Sequence, residues 1–334
     1  MKHTVSLLLV LAALFAGCGT RPIPATAPLP GDEAIAPDVS LLRGRFVAGA
    51  QPDGNTLLLR GRDGLLVFDT GRHAAHTQRI LDAAREVRLP IVAIVNSHWH
   101  LDHVSGNAAL RAAYPRAQVY ASDAIRDAMH GFLADYRGQL AAMIAKVPAD
   151  SSDVAGWREE MARIDAGDAL FPTQPITGDG VERIAGRALR FGLERKAVSG
   201  GDVWMLDQRS GVLASGDLVT LPAPLLDTAC AQGWSEALRR LDALAFTRLV
   251  PGHGAPMSHV QFTGYRHAFD RLLACAGSDA EAGACRDGWM QDVAGLVPQT
   301  DAALASSLLD YYIAQVLRAP EPRRSRYCHN PVAP

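Results

Sequence analysis

Apolar positions along this chain recur with a period of two in some stretches and near 3.6 in others, and the switches mark its elements. From about Val39 the pattern is β, then alternating β and α. Thr56 to Arg60 and Leu65 to Asp69 are short apolar runs separated by Gly61-Arg62-Asp63-Gly64, a hairpin turn signal. His76 to Val87 puts Ile80, Leu81 and Ala84 on one helical face, and Leu89-Pro90 ends it. Ile91 to Val95 predicts a buried strand, Ala108 to Ala113 a helix and Gln118 to Ala121 a strand. Asp123 to about Asp168 is mostly helical, with Ile125, Met129, Leu133, Tyr136, Leu140, Met143 and Ile144 at stripe-like spacings. Such stripes pack on a core, and a second role as a lid over a site is the open alternative.

The second half repeats this logic. Asp202 to Leu206 and Gly211 to Ala214 predict another hairpin, turning at Asp207-Gln208-Arg209-Ser210. It ends at Ser215-Gly216-Asp217, much as the first ends at Asp69-Thr70-Gly71. Trp234 to Ala245 predicts a helix with Ser235 as N-cap, and Arg248 to Val250 a strand running into Pro251-Gly252-His253-Gly254. Asp301 to Leu317 predicts a last amphipathic helix, stopped by Pro320. Buried strands need cover on both faces, so two such halves predict an α/β fold of two packed sheets with helices outside.

Composition narrows the function class. The chain has 334 residues, 48% of them hydrophobic, enough for a large core, and a formal net charge of −2. No long basic stretch occurs, which argues against nucleic acid as a partner; Arg323-Arg324-Ser325-Arg326 reads as a solvated tail. Lys2 and His3 precede an apolar run, Val5 to Ala16, too short to span a bilayer. Residues 1–17 therefore read as a signal peptide. Leu14-Phe15-Ala16-Gly17-Cys18 resembles a bacterial lipoprotein lipobox, with Phe15 a departure. That resemblance implies lipid attachment at Cys18 and a membrane anchor; Gly19 after it points to the outer membrane, facing the periplasm. An ordinary secretory peptide releasing a soluble periplasmic protein is the alternative. Residues 18–38 are rich in Pro and Ala and read as a tether to the domain that follows, 39–334, with a helical insertion at about 123–170. Cys230, Cys275, Cys285 and Cys328 predict two disulfides in an oxidising compartment. Cys275 with Cys285 is the local pair, leaving Cys230 with Cys328, although four cysteines allow three connectivities.

The densest chemistry is Asn96-Ser97-His98-Trp99-His100-Leu101-Asp102-His103, directly after the buried strand. A loop at a strand end can aim several side chains at one point. Imidazole nitrogen and carboxylate oxygen are donors that borderline divalent ions accept. Histidines satisfied by backbone partners would be the plainer reading of one such residue, but not of this density.

His98-x-His100-x-Asp102-His103, then Ser215-Gly216-Asp217, then Pro251-Gly252-His253-Gly254, with Phe68-Asp69-Thr70-Gly71 upstream, resembles the metallo-β-lactamase superfamily over roughly residues 40 to 260. The resemblance implies an αββα four-layer sandwich and a site for one or two zinc ions, iron or manganese being compatible with the same donors. It implies hydrolysis of an ester, thioester, lactone, lactam or phosphoester of a small molecule by an activated water. Carried over by position, His98 and His100 with a third histidine would hold one ion, and Asp102, His103 and His253 the other. Asp217 would bridge them, and Asp69 would orient ligands from behind. Asp102 would also orient the nucleophile and carry a proton to the leaving group. An aspartate at 217, where true zinc β-lactamases often carry Cys or Ser, tilts the expectation away from lactams.

One departure matters. Val198, in Lys196-Ala197-Val198-Ser199-Gly200-Gly201-Asp202, stands where the resemblance places the third histidine. Three readings follow: an enzyme running on the more complete site, recruitment of a substitute such as Glu194, or a binding protein without turnover. Lys196 lies two residues from Val198 and on a strand would share its face, where its ammonium could hold a substrate oxyanion. A solvent-facing lysine is the plainer reading. The Arg195-Lys196 pair could favour an anionic substrate on the same logic, with a surface pair the commoner explanation. Oligomeric state is not encoded legibly.

Overall fold

The computed structural model describes residues 28–46 and 49–328. Cys18, the apolar run before it and the first part of the Pro/Ala-rich stretch lie outside the described residues.

Seven strands form the first sheet in chain order: β1 (Glu33–Ala36), β2 (Val39–Leu42), β3 (Thr56–Arg60), β4 (Leu65–Phe68), β5 (Ile91–Val95), β6 (Gln118–Ala121) and β7 (Gln174–Pro175). The first four are antiparallel, and β4 to β7 run parallel. The second sheet has five strands, ordered β12-β11-β10-β9-β8: β8 (Gly180–Ile184), β9 (Arg187–Glu194), β10 (Asp202–Asp207), β11 (Val212–Thr220) and β12 (Arg248–His253). Its neighbours are antiparallel except β11 and β12.

Side-chain alternation explains the layers. Leu57 and Leu59 of β3 point inward, with Leu66, Phe68, Ala93 and Val95, onto Leu189, Phe191, Val203 and Met205 of the second sheet. Leu58, Leu65, Val67 and Ile94 point the other way, onto Ile80, Ala83 and Ala84 of α1 (Ala74–Val87) and Leu110 of α3 (Asn107–Ala113); α2 (Leu101–Val104) lies between these helices in the chain. The insertion holds α4 (Ala124–His130), α5 (Phe132–Ile144) and α6 (Ser152–Ile164), packed through Ile125, Leu133, Leu140 and Ile164 onto Trp99 and Leu101. The outer face of the second sheet is covered by α7 (Ala231–Asp242), α8 (His259–Ala276), α9 (Ala282–Asp292) and α10 (Ala302–Tyr312), around fully buried Trp234, Tyr265 and Trp289. The result is the expected two mixed sheets flanked by helices.

Several local expectations need correction. The first sheet begins inside the stretch read as tether: β1 pairs antiparallel with β2 around Asp38, whose φ is 63°. Helix α7 starts at Ala231, and Ser235 lies within it, its hydroxyl donating to Asp270 instead of capping the first turn. Gly233 in its first turn is needed for close packing: a Cβ there would come within 1.9 Å of the Lys196 carbonyl oxygen. Strands β8 and β9 and helices α8 and α9 carry no clear signal in the pattern. Four of the five β8 residues, Gly180, Val181, Glu182 and Arg183, are exposed on an edge, so its alternation is muted.

The disulfides are Cys275–Cys285 and Cys230–Cys328, separated by 10 and 98 residues. The second ties the start of α7 to the end of the described chain. Loop-closure entropy makes the long link the stronger one, about 5 kcal/mol against about 3 kcal/mol. Cys230→Ser is therefore expected to lower the denaturant midpoint more than Cys275→Ser; the reverse order in matched unfolding curves would contradict this.

Candidate metal centre

The parallel strands end at one edge of the sandwich, and the polar loops meet there. Asp69 follows β4, the 96–103 segment follows β5, Asp217 lies in β11 and His253 closes β12. Asp69 sits in the left-handed region at φ 59°, a conformation Asp tolerates better than most residues. Its amide donates to the Val95 carbonyl, and its own carbonyl accepts from the Thr56 hydroxyl. Gly216 allows the second sheet to approach the loop after β5, and Gly252 allows β12 to approach Asp217 in β11. A Cβ on Gly216, at φ 52°, would lie 2.3 Å from the Ser97 Cβ, and one on Gly252 would lie 2.0 Å from Asp217 Oδ1.

The buried Asp69 carboxylate accepts from the Ser97 amide at 2.7 Å, the Ser97 hydroxyl at 2.8 Å and His103 Nδ1 at 2.8 Å. His103 thus donates through Nδ1 and keeps its Nε2 lone pair toward the centre. The Ser97 hydroxyl proton is committed to Asp69, so His98 Nδ1, 3.0 Å from that oxygen, is the donor there and its Nε2 is left free. Thr228 plays the same part for His100. Its hydroxyl donates to the Val198 carbonyl at 2.9 Å, so it accepts from His100 Nε2 at 2.8 Å, leaving Nδ1 as the free nitrogen.

Two groups of donor atoms result, each within 4.8 Å: Asp102, His103, Asp217 and His253, and then His98, His100 and Asp217. Asp217 faces both. Its Oδ1 lies 3.2 Å from His103 Nε2 and 3.5 Å from His253 Nε2, and its Oδ2 lies 3.9 Å from His98 Nε2. Asp102 Oδ2 lies 3.0 Å from His253 Nε2 and 3.4 Å from His103 Nε2. Nevertheless His98 Nε2, His103 Nε2, His253 Nε2 and both Asp217 oxygens are buried without a hydrogen-bond partner. Buried polar atoms left unpaired are costly, and five converging on one point fit a shared cation. Nitrogen and carboxylate donors of this kind suit zinc, iron or manganese.

The charges fit the same occupant. Burial and the neighbouring His100 and His103 hold His98 well below the ordinary histidine pKa, so it offers a neutral lone pair. Burial opposes charge on His103, but Asp217, Asp102 and Asp69 outweigh it and raise that pKa well above the usual value. Burial also opposes charge on Asp102 and Asp217, but His103 and His253 hold both carboxyls below the ordinary carboxylate range. Several carboxylates thus face one another at one buried point, where a divalent cation would offset their charge.

The expected donors His98, His100, Asp102, His103, Asp217 and His253 thus come together, with Asp69 behind them. Lys196 does not join them. Strand β9 ends at Glu194, so Lys196 and Val198 share no strand face, and Lys196 is exposed and does not line the cavity beside the centre. Glu194 is no substitute ligand: it accepts from the Trp204 indole at 3.1 Å and pairs with Arg240. The Val198 side chain packs in the apolar core around Trp234, and only its carbonyl reaches toward the site, through Thr228.

Sequence reasoning missed Thr228, Arg72 and Glu160. The Arg72 guanidinium lies 3.6 Å from Asp102 Oδ1 and 2.6 Å from Glu160 of α6, which Arg163 also holds at 2.7 Å. Thr228 and Glu160 stand far in sequence from their partners with no motif around them, and Arg72, which directly follows Phe68-Asp69-Thr70-Gly71, meets partners 30 and 88 residues away. Beside the centre, a cavity of about 420 Å³ opens, walled by His100, Asp102, the insertion and α10.

Among families of known proteins, the one described as the metallo-beta-lactamase superfamily matches residues 51–253. A hydroxyacylglutathione hydrolase of Synechococcus sp. (strain JA-3-3Ab) is 37% identical over 100 residues, 28% of this chain and 40% of the relative. A linear primary-alkylsulfatase of Pseudomonas sp. (strain ATCC 19151) is 23% identical over 220 residues, 60% of this chain and 41% of the relative. The chain spans about two fifths of the length of these curated relatives. Among solved structures, a metallo-beta-lactamase from Pontibacter korlensis aligns at TM-score 0.52 and 20% identity, covering 71% of this chain and 97% of that one. The sec-alkylsulfatase Pisa1 from Pseudomonas sp. aligns at TM-score 0.51 and 18% identity, covering 80% and 48%. At these identities the structural likenesses speak for the fold.

Two outcomes follow from the geometry. Asp69→Asn keeps the shape and tolerates the positive φ but loses the charged acceptor for His103. Zinc affinity in a chelator competition should fall by about 10- to 100-fold, and an unchanged affinity would contradict the role of Asp69. His76 of α1 contacts the Thr56 hydroxyl at 2.9 Å, and burial lowers its pKa to about 4. An unfolded histidine binds its proton near pH 6.5, so this group leaves stability intact above that pH. As pH falls from about 6.5 to about 4, about 3 kcal/mol is lost. His76→Gln should flatten that part of the stability–pH curve; an unaltered curve would contradict it.

Proposed function

Because the chain belongs to the metallo-β-lactamase superfamily, we propose that it is a metal-dependent hydrolase of an ester, thioester, lactone or related bond in a small molecule. The observation that carries this reading is the convergence of three unpartnered ring nitrogens and the Asp217 carboxylate at one buried point. The hydrolase names of the curated relatives support it.

Asp102, His103, Asp217 and His253 would hold one ion tightly; His98, His100 and Asp217 would hold a second more weakly, because Val198 supplies no donor. When bound, such an ion supplies Lewis acidity and lowers the pKa of water at the centre toward ~7. The protein's own residues do the rest. Asp69, Ser97 and Thr228 fix which ring nitrogen of His103, His98 and His100 faces inward. Arg72, held by Glu160, faces Asp102 Oδ1 and leaves Oδ2 toward the centre. From there Asp102 would orient an attacking water and hand its proton to the leaving group. Trp99, packed edge-on against His100 with ring centroids 4.5 Å apart, shields that side from solvent.

A second reading, a metal- or ligand-binding protein without turnover, is favoured by the same Val198. Metal analysis and a substrate panel separate the two. The hydrolase reading expects at least about one zinc ion per chain after dialysis, turnover of one or more of an ester, thioester, lactone and phosphodiester, and loss of both in His253→Ala. Tight metal with no turnover across the panel would support the binding protein. A melting temperature indifferent to chelator and to added zinc would sink both.

A further inference from the structure

The cavity beside the candidate centre is built mostly by segments that hold none of its donors. Helix α10 contributes Leu304, Leu308 and Tyr312, spaced four residues apart on one face. The next face of the same helix, Ala305 and Leu309, is buried in the core. The cavity-lining face thus adjoins the core: Tyr312 is buried in it and Leu308 packs against it, while Leu304 and Leu308 stay partly exposed. Opposite it, α5 contributes Phe132, Leu133 and Tyr136, with Phe132 37% exposed. Phe46, Trp99 and Leu225 add further apolar lining, and the candidate donors His100 and Asp102 line the same cavity. Helix α10 lies beyond residues 51–253, so its part of the wall comes from outside the family match.

The charged groups in the wall are committed. Arg72 is held by Glu160 at 2.6 Å and faces Asp102, and Asp227 accepts from the Tyr312 hydroxyl at 2.6 Å. Among the described residues lining the cavity, Arg72 is the cationic one. An anionic tail would find no free cation here, whereas a hydrocarbon chain would cover apolar surface that now faces water.

We propose that this cavity holds the uncharged hydrophobic chain of an ester or thioester, with the scissile carbonyl at the His100 and Asp102 end. This substrate assignment rests on the hydrolase reading. In the reaction the oxygen of water bonds to the acyl carbon, the bond from that carbon to the ester oxygen or thioester sulfur breaks, and the leaving group departs with a proton from the water. An uncharged chain accords with reading Arg195 and Lys196 as a surface pair and not as an anion site; both are exposed.

The test uses the zinc-saturated full chain and two neutral ester series, with linear chains of increasing length on the acyl side or on the alcohol side. In one of them kcat/KM should rise about fourfold per methylene and level off when the cavity is full. Calorimetric binding of 1-octanol against 1-butanol gives a second readout that needs no turnover, with octanol the tighter ligand. Leu308→Glu should flatten both length dependences; if it fails to fold, Leu308→Ala should weaken the octanol preference. Turnover of short esters with no gain from chain length on either side overturns the cavity assignment and leaves the hydrolase reading standing. Chain-length-dependent binding without hydrolysis overturns the hydrolase reading and retains the cavity as a hydrophobic-chain site. Equal affinity for butanol and octanol overturns the assignment whatever the activity.

Discussion

The Asp69 carboxylate, buried and shared among the Ser97 amide, the Ser97 hydroxyl and His103 Nδ1, is the interaction on which the candidate centre depends. Burying a carboxylate is costly unless its oxygens are filled, and these three donors fill them. The same contacts set local geometry. Through its backbone, Asp69 joins Thr56 at the head of β3 to Val95 at the end of β5. Ser97, its main partner, accepts from the Val203 amide of the second sheet at 2.6 Å, so the two sheets meet where the metal-type donors cluster. Asn55 makes the second seam: its amide donates to the Gly252 carbonyl at 2.7 Å, and its side chain donates to Pro251 and Gly254. Strand ends, sheet packing and ring orientation are therefore one constraint.

A centre assembled this way is expensive in the absence of a cation. His98, His103, His253 and Asp217 are buried with open lone pairs, and nothing else among the described residues satisfies them. This cost is the physical argument for an ion. The two halves of the centre are unequal. Asp102, His103, Asp217 and His253 form a four-donor group, whereas His98 and His100 rely on Asp217 and on a hydroxyl bridge through Thr228 to the Val198 carbonyl. That bridge orients His100 without adding a donor. The contrast extends to the surroundings: the donors come from the sheet edges, while much of the neighbouring cavity comes from the insertion and from α10, in the segment that the Cys230–Cys328 link ties back to the sandwich.

Much of this was legible in the chain because short-range signals carried it. Strand β5 is a continuous apolar run, and the histidines follow it within a few residues; the hairpin turns and Pro251-Gly252-His253-Gly254 mark the other strand ends. Close approach demanded glycine at 216 and 252, and glycine is visible in a sequence. What stayed hidden depends on distance along the chain. Thr228 meets His100 across 128 residues, and Glu160 meets Arg72 across 88. Lys196 shows the opposite failure. Its spacing from Val198 implied a shared face only if a strand continued there, and β9 stops at Glu194. The missed edge strand and outer helices have mixed polarity because each sits half in solvent.

Anomalous diffraction at the zinc absorption edge, on crystals of the full chain grown with zinc, tests the central claim most directly. The account predicts a strong peak among Asp102, His103, Asp217 and His253, with a weaker one, or none, beside His98 and His100. Two equally strong peaks would contradict the inequality drawn from Val198, and no peak among these residues would contradict the metal centre itself.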